Sequence, residues 1–139
     1  MSINNTTEKQ IIIEKDLEKI SNYLGIITRN TKKYKELTEG YDKDNDDHAL
    51  CLKILNELDY LISTNIDKAK ELITESKDEV SICIRKMVEE QEKCGYRSKE
   101  WDSIKYKTSE IEGYMTKLNV YRDLLDEREK EYNELKNFL

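Results

Sequence analysis

Across 139 residues the chain contains no proline, and its apolar residues recur at alternating spacings of three and four almost from end to end. Proline removes a helical hydrogen bond and clashes with the preceding turn, so its absence lets helices run long. The recurrence requires each such helix to bury one face against something. Together these features restrict the chain to long amphipathic helices packed on one another.

The pattern divides into three segments. The first helix is expected over about residues 7–41, with Ile13, Leu17, Ile20, Leu24, Ile27, Thr31, Tyr34, Thr38 and Tyr41 inward in a heptad register. Asn5 with Glu8, or Thr7 with Gln10, offers a capping box at its start. Gly40 and the acidic run from Asp42 to Asp47 interrupt the pattern, and Asp46 or Asp47 can cap the next helix.

The second helix is expected over about residues 47–94. Its stripe runs through Cys51, Leu55, Leu58, Ile62, Asn65, Ala69, Leu72, Ser76, Val80, Cys83 and Met87. Leu61, Ile66, Ile73, Ile84 and Val88 widen that stripe enough to pack against two neighbours. A break at 63–65 or 76–79 is the competing reading, the latter because Ser76 and Glu79 have capping-box spacing. Asn65 on the stripe would set register at some cost in stability.

Gly95 is expected to supply the left-handed residue that ends this helix, and Ser98 to cap the third, over about residues 98–139. Trp101, Ile104, Thr108, Ile111, Tyr114, Leu118, Tyr121, Leu125, Tyr132, Leu135 and Leu139 point inward, with a phase slip expected near Gly113. The fold expected is all-α: one domain over 1–139, an elongated antiparallel three-helix bundle of coiled-coil character. In shape this resembles spectrin-type repeats and the regulatory three-helix bundles of membrane-fusion proteins. Shape alone assigns no function.

Composition agrees with a thin bundle. Hydrophobic residues are 37% and charged residues 39%, a balance in which surface dominates volume. Nine tyrosines accompany one Trp and one Phe. Tyrosine suits a narrow core, with the ring inside and the hydroxyl at the rim.

The net charge is −6, with both signs interspersed, and nucleic acid recognition needs a concentrated basic face. Arg29, Lys32, Lys33 and Lys35, and Arg97, Lys99, Lys105 and Lys107, read as solvated helix faces. No segment approaches the ~20 apolar residues of a membrane span. Ile11–Ile13 is too short for a signal-peptide core, and neither end carries a lipidation motif. A soluble, cytoplasmic protein is expected.

Chemical motifs fare poorly. Asp42, Asp44 and Asp46 alternate as in a calcium loop, but Asp47 replaces the turn glycine and Lys53 the closing glutamate. Cys51, Cys83 and Cys94 are spread along one helix, too far apart for an internal disulfide, so they read as thiols of a reducing compartment. Cys94, beside Lys93 and near Arg97, has the most reactive surroundings. His48 stands 46 residues before Cys94 on that helix, which precludes a Cys–His pair within one chain. The four glycines are scattered, so no phosphate loop forms. No catalytic, metal or cofactor residues are assigned.

What remains is surface for other proteins: a non-enzymatic scaffold, adaptor or subunit, homo- or hetero-oligomeric, binding through helix faces. The first helix supplies weaker apolar residues after Ile27, beside the carboxyl half of the third. A tyrosine-rimmed groove centred on Tyr34, Tyr41, Tyr121, Leu125 and Tyr132 is therefore expected to receive the partner. The alternative is a peripheral membrane- or cytoskeleton-associated helical protein using the Arg29–Lys35 group.

Overall fold

The computed structural model describes residues 3–40 and 48–137, with side chains from residue 7 onward. Three α-helices account for nearly all of them: α1 (Ile3–Glu39), α2 (His48–Glu92) and α3 (Lys99–Lys136). All three pack against one another, so the chain is an all-α three-helix bundle. At 1.5 Å per residue the helices are roughly 55–70 Å long.

Successive helices are antiparallel, which makes α1 and α3 parallel. Gln10 therefore meets Tyr114 at one end, and Tyr34 meets Tyr132 at the other. The core is a single column down the bundle axis. Ile13, Ile20 and Ile27 of α1, Leu55, Ile62 and Ile73 of α2, and Ile111, Leu118 and Leu125 of α3 are fully buried. Each such side chain contributes about 2 kcal/mol of transfer free energy, which supplies the tertiary stabilisation that helix propensity alone lacks.

The helix ends depart from expectation in instructive ways. The α1 helix already begins at Ile3, so both candidate caps, Asn5 and Thr7, lie inside it rather than at its start. Asn and Thr cost too little helix propensity to stop a helix. The α2 helix runs unbroken through both candidate breaks. At the first, the Asn65 side-chain amide donates to the Leu61 carbonyl at 2.7 Å, so its polar group is satisfied within its own helix. At the second, Ser76 is buried in the α2 seam rather than capping a new helix.

The α2–α3 turn also differs. No glycine among the described residues adopts positive φ; Arg97, at φ 62°, takes the left-handed position instead of Gly95. Ser98 caps α3 as expected, its hydroxyl accepting from the Trp101 amide at 3.2 Å.

The phase slip expected near Gly113 is absent. Ile104, Ile111, Leu118, Leu125 and Tyr132 are all buried at strict seven-residue intervals. Tyr114 and Tyr121 flank this seam half-buried, and reading them as core residues is what suggested a slip. Leu61 and Val88, counted in the wide α2 stripe, are exposed, whereas Ile66 and Ile73 are buried.

Asn65 is 9% exposed, and among the described residues its side chain bonds to its own helix. Asn65→Leu replaces that local bond with apolar burial, so thermal unfolding should shift upward, by about 1 kcal/mol of stability. An unchanged or lower melting temperature would show that the amide contributes more than local satisfaction.

Candidate interaction surface

The groove expected between α1 and α3 is closed by the chain itself. Leu125 is fully buried, and Tyr34 and Tyr132 are 3% and 2% exposed. Their rings meet edge to face, with centroids 5.5 Å apart and planes at 81°, a favourable arrangement for aromatic quadrupoles. Lys136 covers the outer side of Tyr132 at 5.3 Å and reaches Asp59 of α2 at 3.4 Å. Burial, and then the Asp59 charge, push the Tyr34 hydroxyl pKa up.

The aliphatic deficit after Ile27 is thus made up by aromatic volume from parallel helices. Tyr121 is half-buried, with Lys117 5.9 Å from its ring centroid, and Tyr41 lies outside the described residues. Of the five expected partner-binding residues, three are core residues, and Tyr121 lines a shallow depression with Glu14, Glu18 and Lys117 between the amino-terminal half of α1 and α3. Replacing Leu125 with Glu should unfold the chain rather than merely block association, because it buries a carboxylate among hydrocarbons. Loss of helical circular dichroism checks this.

The opposite end carries a polar cluster between α1 and α3. Tyr114 donates to the Glu14 carboxylate and accepts from Gln10 Nε2 at 2.7 Å, while Gln10 also donates to Glu110 at 3.3 Å. Burial first, and then the bond to Glu14, push Tyr114 up to about 12 from its ordinary 10. A raised phenol pKa leaves stability intact below pH 10 and erodes it as pH climbs towards 12. Alkaline unfolding curves should show that decline, and Tyr114→Phe should flatten it.

The thiols are all free. Cys83 is fully buried, and burial pushes its pKa up. Cys94 is half-buried at the end of α2 and donates to the Glu90 carbonyl at 3.5 Å. His48 opens α2 and Cys94 lies beyond its other end, roughly 69 Å away at helical rise. The aspartate run 42–47 lies outside the described residues, as do Asp46 and Asp47 in their capping role. Among the described residues no cluster of His, Cys, Asp or Glu could hold a metal ion, and no helix is long and apolar enough to cross a membrane.

Two surfaces stand out. At the α2–α3 turn, Tyr96 and Trp101 pack edge to face at 5.1 Å. Arg97 lies within 6 Å of both rings, and Lys105 lies 5.3 Å from Trp101. The left-handed backbone at Arg97 costs about 1 kcal/mol, which these exposed cation–π contacts offset.

The other surface is the amino-terminal third of α2. Leu50 is 56% exposed, Ile54 36%, Tyr60 70% and Leu61 42%. With Ala49, Lys53, Asn56 and Glu57 they form one continuous outward strip with a shallow depression beside Tyr60 and Leu61. Leu50, Lys53, Glu57 and Tyr60 are spaced three, four, three, a second seam displaced from the core positions Cys51, Leu55, Leu58 and Ile62. That spacing was present in the sequence, masked by the stronger core stripe next to it. Comparisons with protein-family models, with curated proteins and with solved structures find no match to this chain.

Proposed function

We propose that the chain is a non-enzymatic protein–protein interaction module, serving as a scaffold, adaptor or subunit of a larger assembly. It binds through a helix face, and the binding face is the outward seam of α2 from Ala49 to Leu61. The observation that carries this reading is the concentration of large exposed apolar side chains there, at helical spacing, on a bundle whose own core is closed. An apolar strip in a surface that is otherwise largely charged is what a partner helix covers.

Ile54 and Leu61 are the residues to test, since both are exposed and neither supports the core. Affinity purification from the native cell with Ile54→Glu/Leu61→Glu should lose the partners that the unmodified chain retains, while circular dichroism stays helical. Recovery of the same partners by both forms would defeat the assignment of this face.

The second reading, a peripheral membrane- or cytoskeleton-associated protein, draws support from the aromatic and cationic side chains at the α2–α3 turn. Trp, Tyr, Arg and Lys together suit a membrane–water interface. Glu100 and Asp102 lie within that turn region, and Asp102 pairs with Arg97 at 3.8 Å, which weakens its attraction for anionic lipid. Salt-sensitive flotation with anionic vesicles would favour this reading over the first.

A further inference from the structure

We infer that the occupant of the α2 face is a second copy of this chain, paired antiparallel about a two-fold axis level with Leu55. This rests on the helix-face reading and names its partner.

The argument is one of self-complementarity. In an antiparallel pair with the axis at residue 55, each residue lies level with the one equally far beyond the axis on the other copy. Leu50 is then level with the partner's Tyr60, and Lys53 with the partner's Glu57. The two-fold repeats both pairs in reverse, so one register makes two apolar layers and two opposite-charge layers. The three–four–three spacing of Leu50, Lys53, Glu57 and Tyr60 puts these residues in successive seam positions, and antiparallel coiled coils pair adjacent seam positions in just this way.

Ile54 flanks the seam one residue from the axis, so the two copies of Ile54 meet across it. Leu61 extends the same apolar edge. All six of these side chains are exposed among the described residues. A parallel in-register pair is disfavoured, because it sets Lys53 against the partner's Lys53 and Glu57 against the partner's Glu57. The two-fold also closes the assembly at two copies, with no unpaired seam left to recruit a third.

Charge reversal tests the register directly. Sedimentation equilibrium of the full chain across a wide concentration range should show a monomer–dimer equilibrium. Lys53→Glu and Glu57→Lys each place like charges in both symmetric layers and should weaken the dimer at least about tenfold. The double variant Lys53→Glu/Glu57→Lys restores opposite charges in every layer and should return the Kd close to the unmodified value. Both positions are exposed, so helical content by circular dichroism should be unchanged in all three variants.

A chain that stays monomeric throughout overturns the proposal. So does a dimer indifferent to the single reversals, or one that the double variant fails to rescue. A monomeric chain that still captures a cellular protein in a manner dependent on Ile54 and Leu61 sinks the second-copy assignment and leaves the helix-face reading standing. Loss of both behaviours removes both.

Discussion

One narrow apolar column, buried along the bundle axis, holds this molecule together. Helices of this length, with charged residues at 39% of the chain, gain little from propensity alone. The fully buried Ile20, Ile62, Ile111 and Leu118 belong to the one core cluster that joins the three helices. Because the column is thin, it has few layers to spare. A single charged replacement in it, such as at Leu125, is costly in proportion.

Hydrocarbon burial is non-directional, so alignment must come from elsewhere. Polar and aromatic layers supply it at three levels of the bundle. At one end Tyr114 is held by Gln10 and Glu14; near the middle Lys70 of α2 pairs with Glu129 of α3 at 2.6 Å. At the other end Tyr34, Tyr132, Asp59 and Lys136 close the core. The partly exposed ion pairs add little energy individually. Their value is in disfavouring shifted registers, which would set these groups against apolar surface or like charge.

The same closure bears on the proposed binding face. Aromatic side chains fill the space between α1 and α3 that weaker aliphatic residues would have left open. Part of the apolar surface left over, Leu50, Ile54, Tyr60 and Leu61, gathers on the outside of α2, next to the core stripe but rotated away from it. There the residues follow a second three–four pattern that the bundle does not use. The proposed association through this strip would need no opening of the core, because its side chains are exposed in the closed bundle.

Much of the architecture was legible from residue spacing. The seven-residue recurrence of apolar side chains identifies the three helices and most of their inward faces, because helical periodicity is a local property of the backbone, and the hydroxyl of Ser98 at the head of the third segment marks its cap. Tyrosine is where local reasoning failed. Its ring and hydroxyl suit both a core and a rim, so spacing placed Tyr34 and Tyr132 inward, as found, but placed Tyr114 and Tyr121 there too, although these only flank the seam. Nor could it show that Arg97 rather than Gly95 takes the left-handed turn, since the rings of Tyr96 and Trp101 that offset its cost come from the folded turn. Residue spacing dictates that long helices must share one buried stripe. Which apolar residues that stripe leaves outside emerges only in the packed bundle, because it depends on how neighbouring helices divide the volume between them.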